Sequence, residues 1–213
     1  MHFLSPELEK YIDDNSESEP VLLQELTRET HMKVIQPRMI TGHYQGRVLS
    51  LLSKIIAPKN ILEIGTYTGY SALCLAEGLQ TNGRLHTIDI NEELHSIQRN
   101  YFDKSNFGDK IVQYVGDAIE IVPKLDEVFD LVFIDAEKIS YNSYYEAVLT
   151  KTNPGSVILS DNVLWSGKVV GPLKKPDKAT EALLEYNEKL KNDPRVETVI
   201  LPIRDGLTLS RVI

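Results

Sequence analysis

A glycine-containing turn between a short apolar strand and an apolar helix constrains the fold of this chain more than any other sequence feature. The strand covers residues 60–64, the turn contains Gly65 and Gly69, and the helix follows at residues 70–80. Because glycine has no Cβ, the backbone at such a turn can approach a ligand closely. The free N–H groups at the start of the helix also point toward that ligand. The pattern therefore indicates a nucleotide-binding crevice at the carboxyl edge of a parallel sheet.

The chemistry of this turn favours S-adenosylmethionine over a dinucleotide. A dinucleotide fingerprint reads G-x-G-x-x-G, whereas this turn reads G-x-x-x-G and follows an acid, Glu63. A carboxylate is a poor neighbour for a pyrophosphate, but it suits a cationic amino-acid group and ribose hydroxyls. A second acid, Asp89, ends the next apolar segment about 20 residues later, where NAD-binding folds and methyltransferases both bind ribose. An ordinary strand-to-helix turn without a ligand is the alternative interpretation.

The remaining elements predict a doubly wound α/β fold. Short apolar strands alternate with helices after residue 56, which is typical of a parallel sheet covered on both faces. The last two apolar runs are separated by only about five residues, so they can pair only as an antiparallel hairpin. We expect a seven-stranded, mostly parallel, Rossmann-like methyltransferase sheet. Strands are predicted at residues 60–64, 84–88, 111–115, 130–134, 156–160, 196–201 and 207–213. Helices are predicted at 5–13, 20–32, 38–56, 70–80, 91–105, 117–124, 140–151 and 177–192.

The length and composition predict one domain over residues 1–213. Residues 1–56 are predicted to form N-terminal helices, and we expect these helices to lie over the active site. Of the 213 residues, 42% are hydrophobic and 25% are charged, which is ordinary for a globular protein with a full core. A membrane-spanning stretch and a signal peptide are not evident, so we expect a cytoplasmic protein. The one cysteine, Cys74, lies in an apolar helix and is predicted to be buried rather than nucleophilic. The net charge of −8 argues against broad affinity for nucleic acid.

Oxygen donors follow two of the predicted strands. Asp135 comes directly after residues 130–134, and Asp161 and Asn162 come directly after residues 156–160. Since parallel strands end at the same edge of a sheet, these side chains are expected to converge. Hard oxygen donors suit Mg²⁺ or Ca²⁺, and three ligands leave positions open for water or substrate oxygens. The alternative is that Asp161 and Asn162 only cap a turn, and spacing alone leaves both interpretations open.

Lys138 is a candidate proton acceptor because it lies three residues after Asp135. A neighbouring divalent cation disfavours the ammonium form of a lysine, so the neutral amine can accept a proton from an acceptor hydroxyl. The alternative is a solvated surface lysine, which is the usual environment of this residue type.

Three separate segments together resemble a known family. These are residues 63–71 (EIGTYTGYS), 133–138 (FIDAEK) and 161–167 (DNVLWSG). They are similar to the cation-dependent O-methyltransferases, the caffeoyl-CoA and catechol O-methyltransferase group with its small bacterial members. The resemblance extends from about Met32 to the C-terminus and includes Asp205 and Gly206. It implies a methyltransferase that uses S-adenosylmethionine and a divalent cation, with Mg²⁺ expected and Ca²⁺ or Mn²⁺ as alternatives. Homodimers are usual in this family.

The resemblance also implies a role for each matching residue. Glu63 would bind the ribose or amino-acid part of S-adenosylmethionine, Asp89 would hold the ribose, and Ser71 would bind the carboxylate. Thr41, on the cofactor side of the third helix, would contact the methionine part, and Ala118 would lie near the adenine. The full cofactor set is Thr41, Glu63, Gly65, Thr66, Ser71, Asp89, Ala118 and Asp135. The metal ligands would be Asp135, Asp161 and Asn162. The catalytic residues would be Lys138, as the base, and Asp135, and the acceptor contacts would be Met39, Trp165 and Ser166.

Two departures from the plant enzymes bear on the acceptor. Those enzymes carry an asparagine where this chain has Ser166, and their long N-terminal segment is hard to match to residues 1–31. A caffeoyl-CoA acceptor is therefore disfavoured, and a small catechol-like molecule with vicinal oxygens is expected.

Two other functions compete with this interpretation. A tRNA hydroxyuridine methyltransferase is the alternative, because a hydroxypyrimidine also offers adjacent oxygens. Its basic patch would comprise Lys168, Lys174, Lys175 and Lys178. The acidic net charge argues against it, and a solvated loop explains these lysines equally well. A nicotinamide-dependent oxidoreductase is disfavoured because the third glycine of the fingerprint is missing.

Overall fold

Seven strands form one sheet in the order β3-β2-β1-β4-β5-β7-β6 in the computed structural model, which describes residues 5–171 and 177–213. Strands β1 to β5 pair in parallel, and β7 pairs antiparallel with both β5 and β6. The predicted mostly parallel sheet with a C-terminal hairpin is confirmed. The strands are β1 (Asn60–Ile64), β2 (Arg84–Asp89), β3 (Ile111–Val115), β4 (Leu131–Ile134), β5 (Val157–Asp161), β6 (Val196–Leu201) and β7 (Leu207–Val212).

Helices cover both faces of this sheet. Their starts follow local capping chemistry: Ser5 accepts a hydrogen bond from the backbone of Leu8, and Asp177 accepts one from Thr180. Within the described residues the α-helices are α1 (Pro6–Asp14), α2 (Val21–Lys33), α3 (His43–Ile56), α4 (Tyr70–Ala76), α5 (His95–Lys104), α6 (Ala118–Ile121), α7 (Tyr141–Leu149) and α8 (Lys178–Asn192). None of these helices is long and apolar enough to cross a membrane.

The third predicted helix begins later than expected. The sequence predicted residues 38–56, but α3 starts at His43, after a 3₁₀ turn at Pro37–Met39. The break occurs at Gly42, whose φ of 79° lies outside the helical region. Thr41 therefore lies in the loop before α3 rather than on a helix, which corrects the sequence-based placement. Similarly, α5 begins at His95, after a 3₁₀ turn at Glu92–Leu94.

The core is built on alternating residues of the central strand. All four residues of β4 are buried, with Val132 and Ile134 in one cluster and Leu131 and Phe133 in the other. Alternate residues of a strand point to opposite faces, so each cluster lies on one face of the sheet. The first cluster includes α7 and α8, and the second includes α3 and α4. Cys74 is fully buried in the second cluster, as predicted, and burial raises the pKa of its thiol to about 12.

The register of the sheet brings the strand ends together. Ile64 at the end of β1 is opposite both Ile88 of β2 and Ile134 of β4, and Ile134 is opposite Ser160 of β5. Because these strands are parallel, the residues that follow each of them lie at one edge of the sheet. This carboxyl edge is where the candidate site is found.

Candidate functional site

The two glycines of the turn are required by packing within the protein. Gly65 has a φ of 97°, and a Cβ built on it would overlap the carbonyl oxygen of Asp135. Gly69 has a φ of 93°, and a Cβ there would lie 2.6 Å from the ring of Phe102. The close approach of a ligand to both glycines stays a prediction. Packing is an independent reason for them, since each allows the turn to pack against a neighbouring element.

Replacement of Gly65 by alanine is therefore expected to destabilise the fold. A side chain in the left-handed region costs about 1–2 kcal/mol, and overpacking against a backbone oxygen adds roughly 1–3 kcal/mol. The matched control is Gly155→Ala, because Gly155 has a φ of 98° and open space around its missing Cβ. Chemical denaturation should show a larger loss of unfolding free energy for Gly65→Ala. Equal losses in the two variants would contradict the packing explanation.

Glu63 is fully buried beneath the turn. The hydroxyl of Ser71 donates to its Oε1 at 2.6 Å, and the hydroxyl of Thr87 donates to its Oε2 at 2.5 Å. Burial raises the pKa of Glu63 to about 8, the two hydroxyl bonds lower it, and the nearby charges of Asp135 and Asp89 raise it further. The charges of Asp135 and Asp89 thus both act on the Glu63 carboxyl group. A ligand with a cationic group fits this arrangement because it would offset that negative charge.

Asp89 braces the rim of the same crevice. Its two carboxylate oxygens accept the backbone N–H groups of Tyr67, at 2.7 Å, and Asn91, at 2.8 Å. The backbone N–H of Gly116 donates to the carbonyl oxygen of Asp89 at 2.9 Å. That bond holds Gly116, the residue after β3, beside Asp89. Ala118, which is buried at the start of α6, follows Gly116 by two residues.

The N-terminal segment contacts the glycine turn through Tyr67. The hydroxyl of Tyr67 donates to the carbonyl oxygen of Gln36 at 2.8 Å. Thr41 is buried in the loop before α3, and Thr66 is buried with its hydroxyl 2.5 Å from that of Thr87. Tyr67 was not predicted as a site residue. Nothing in its local pattern signals the positive φ of 50° that aims it at this segment.

Lys138 is a buried lysine with defined partners. Its side chain is only 8% exposed, and its Nζ donates to Oδ1 of Asp135 at 3.0 Å and to the hydroxyl of Tyr141 at 2.7 Å. The Tyr141 hydroxyl in turn donates to the carbonyl oxygen of Asp161 at 2.8 Å. The alternative of a solvated surface lysine is therefore excluded. Tyr141 was missed by the sequence analysis, although it connects Lys138 to the end of β5.

Asp161 is a buried carboxylate next to a second one. Its Oδ1 accepts the backbone N–H of Asn162, and its Oδ2 accepts Nε2 of Gln45, both at 2.8 Å. Burial raises the pKa of Asp161 well above its usual range, and the charge of Asp135 adds to this effect. The buried Oε1 of Gln45 has no hydrogen-bond partner among the described residues. Gln45 lies 116 residues from Asp161 in sequence, so no local pattern could identify it.

This arrangement fits a hard divalent cation. Asp135 and Asp161 present oxygen donors in a mostly enclosed place, where a positive charge would offset their repulsion. The described residues contain no group of three or more His, Cys, Asp or Glu side chains suited to a metal. The candidate set therefore depends on the amide oxygen of Asn162 as its third donor. Asn162 is half-buried and has a φ of 59°.

The three expected acceptor residues differ in exposure, and Trp165 lies near Lys138. Its Nζ lies 6.0 Å from the ring centre of Trp165, whose indole N–H is buried without a partner among the described residues. Ser166, the next residue, is exposed, and Met39 is 55% exposed on its 3₁₀ turn. Trp165 thus lies beside the proposed base, while Met39 and Ser166 lie at the surface.

The basic patch of the tRNA alternative is only partly described. Lys168 forms an ion pair of 2.9 Å with Asp177, which offsets its charge. Lys178 is exposed at the start of α8, whereas Lys174 and Lys175 lie outside the described residues. In the described part of this patch, Lys168 and Lys178 do not form a cluster of unpaired cations, because Lys168 is paired with Asp177.

The similarity to known proteins extends over nearly the whole chain. The family model of the O-methyltransferases matches residues 13–213. The chain is 35% identical over 204 residues to caffeoyl-CoA O-methyltransferase 5 of Nicotiana tabacum, covering 91% of this chain and 85% of that protein. Among solved structures, the O-methyltransferase TomG of Streptomyces achromogenes, in complex with SAM, has a TM-score of 0.89 at 29% identity and covers 97% and 96% of the two chains. The SAH-bound methyltransferase PaMTH1 of Podospora anserina has a TM-score of 0.90 at 28% identity and covers 100% and 98%.

Proposed function

Because this chain belongs to the O-methyltransferase family, we propose that it moves the methyl group of S-adenosylmethionine to a hydroxyl of a small catechol-like acceptor, with a divalent cation as cofactor. The observation that carries the proposal is the buried network at the ends of β4 and β5. In that network Lys138 contacts Asp135 directly and is connected to Asp161 through Tyr141. A buried amine beside two carboxylates matches a site that binds a cation and moves a proton.

The crevice around the glycine turn is the proposed cofactor site. Bound S-adenosylmethionine supplies a methyl group on a positively charged sulfur, which suits a crevice bordered by Glu63, Asp89 and Asp135. Support comes from the solved relatives TomG and PaMTH1, which contain SAM and SAH. Glu63 would bind the ribose or amino-acid part, Asp89 would hold the ribose, and Ser71 would bind the carboxylate. The proposed contacts are Thr41, Glu63, Gly65, Thr66, Ser71, Asp89, Ala118 and Asp135.

Asp135, Asp161 and Asn162 are the proposed ligands of the cation, with Mg²⁺ expected and Ca²⁺ or Mn²⁺ as alternatives. A cation held there would supply Lewis acidity that makes an acceptor hydroxyl more acidic, and its open positions would suit an acceptor with two neighbouring oxygens. Gln45 holds the carboxylate of Asp161 in place from α3. Such support orients a ligand side chain before the cation arrives.

Lys138 is the proposed proton acceptor. Its Nζ is fixed by Tyr141 and Asp135, so the amine is held at one position near Trp165. Trp165, Met39 and Ser166 would orient the acceptor against that amine. Most of the contribution of the chain to methyl transfer would then be orientation, which can supply a large part of a rate enhancement.

A methyl-transfer screen tests this function directly. The purified protein is incubated with S-adenosylmethionine and catechols, hydroxycinnamates or deproteinised tRNA, with and without Mg²⁺. We expect methylation of catechols that depends on the added cation. Methylation of tRNA alone would replace this proposal with the hydroxyuridine alternative. The expected homodimer and cytoplasmic location remain predictions.

Asp89→Ala is expected to weaken S-adenosylmethionine binding by roughly 1–3 kcal/mol, the cost of leaving buried polar groups unpaired. The matched control is Asp130→Ala. Asp130 also accepts two backbone N–H groups, from Lys59 and Asn60, but it lies at the opposite end of the sheet. Titration calorimetry should show weaker binding only for the Asp89 variant. Unchanged affinity in that variant would refute the cofactor role of Asp89.

A further inference from the structure

Two loops at the carboxyl edge contain most of the strained backbone of the described residues. Among the described residues, six non-glycine residues have a positive φ, and four of these six lie in the two loops. Asn162, Trp165 and Ser166, with φ of 59°, 47° and 55°, belong to the loop after β5, which we call the acceptor loop (residues 162–167). Arg204, with a φ of 49°, belongs to the turn between β6 and β7, which we call the hairpin turn (residues 202–206). Such conformations persist only where the surroundings hold them.

The hairpin turn holds the acceptor loop through three hydrogen bonds. Oδ1 of Asp205 accepts the backbone N–H of Ser166 at 2.5 Å, and its carbonyl oxygen accepts that of Leu164 at 2.9 Å. The carbonyl oxygen of Gly206 accepts the backbone N–H of Val163 at 3.2 Å. The two loops are also packed closely, since a Cβ on Gly206 would lie 2.5 Å from Cγ of Leu164. The hairpin turn therefore holds the acceptor loop, and the side chain of Asp205 supplies the bond to Ser166.

Arg204, the residue before Asp205, connects the hairpin turn to the N-terminal segment. Nη1 of Arg204 donates to the carbonyl oxygen of Ile40 at 3.2 Å and to that of Thr41. These oxygens lie between the 3₁₀ turn that contains Met39 and the start of α3, where Gly42 offers no side-chain cap. Arg204 thus connects the hairpin turn to a segment more than 160 residues away in the chain.

We propose that Arg204 and Asp205 are positioning residues that set the separation of the two walls of the acceptor site. Arg204 holds the wall that contains Met39, and Asp205 holds the wall that contains Trp165 and Ser166. The inference rests on the proposed function, in which these three residues contact the acceptor. One short turn would then determine acceptor affinity, because it is bonded to both walls at once.

Four variants distinguish the separate roles of Arg204 and Asp205 from a general loss of structure. Asp205→Ala removes the carboxylate acceptor of the Ser166 N–H, whereas Asp205→Asn keeps an oxygen at Oδ1 and should rescue it. Arg204→Gly removes the guanidinium and also relieves the positive φ, which offsets part of the stability lost with its two hydrogen bonds. Arg211→Ala is the control, because Arg211 pairs with Glu197 on the same hairpin.

The first measurement is kinetic. Asp205→Ala and Arg204→Gly should each raise the KM for a catechol about 3–10-fold, which corresponds to losing one or two hydrogen bonds. Asp205→Asn and Arg211→Ala should stay near wild type. Binding of S-adenosylhomocysteine by calorimetry should change less than about twofold in the Asp205 variants. Unchanged KM in both test variants would overturn the proposal.

The second measurement does not need an acceptor. Amide hydrogen exchange should increase at residues 162–167 in Asp205→Ala and at residues 39–42 in Arg204→Gly, each without the other. If exchange increases in this pattern while the wild type methylates no catechol, the proposed function fails and the positioning role stands. If exchange is unchanged in both segments, the positioning role is wrong whatever the activity.

Discussion

Lys138→Ala is expected to lower kcat by roughly 10²–10⁴-fold, the usual contribution of a positioned general base. The amine is buried and held at one position by Asp135 and Tyr141, so the substitution removes a proton acceptor of defined geometry. Affinity for S-adenosylmethionine should barely change, because the cofactor crevice is formed around Glu63 and Asp89. Steady-state kinetics and calorimetry on the same preparation measure both quantities.

The competing explanation is that the cation alone makes the hydroxyl acidic enough. In that case Lys138→Ala would retain most of its activity, and the loss would be smallest for acceptors with the most acidic hydroxyls, such as nitrocatechols. A series of acceptors of graded acidity separates the two explanations. Lys168→Ala is the control, since its Nζ also lies over the Trp165 ring, at 5.5 Å, but is paired with Asp177. A near-normal kcat on every acceptor would show that Lys138 is not the base.

The sequence predicted the sheet because each strand has a local signature. Apolar runs bounded by turns define β1 to β7, and the short connection at residues 202–206 allows only an antiparallel pair. The start of α3 was predicted wrongly because the apolar spacing of residues 38–56 does not reveal that Gly42 leaves the helical region. Apolar spacing reports which side of a helix is buried, and it says little about where the helix begins.

The site residues that follow the strands could also be predicted, because each strand is recognisable from its local sequence. Asp135, Asp161 and Asn162 directly follow apolar strands, so parallel pairing alone brings them to one edge. Gln45 and Arg204 could not be found in this way. Their partners lie 116 and more than 160 residues away, and only the folded chain brings them together. Tyr141 looks like any aromatic core residue in the sequence, because its hydroxyl partners depend on the geometry of β4 and β5.

Excess chelator is expected to abolish methyl transfer by the wild-type protein, and Asp161→Asn is expected to abolish its dependence on the cation together with its activity. Asparagine keeps the shape of the buried side chain, whereas it loses the negative charge that holds a hard cation. The substitution should also be tolerated by the fold. Its amide oxygen can still accept the backbone N–H of Asn162, and its NH₂ group can donate to Oε1 of Gln45 once the Gln45 amide turns over, because Nε2 of Gln45 faces Asp161 in the wild type.

The effect of Asp161→Asn on stability should have the opposite sign to its effect on activity. Without a cation, the buried carboxylates of Asp161 and Asp135 repel each other, so removing one charge should leave the melting temperature unchanged or raise it. Mg²⁺ should stabilise the wild type by mass action and leave the variant unaffected. Asp130→Asn, at the opposite end of β4, should keep both the activity and the response to Mg²⁺. Full activity of the wild type in excess chelator would remove the cation from the mechanism, whereas a strong loss of stability in Asp161→Asn would mean that this carboxylate supports the fold instead.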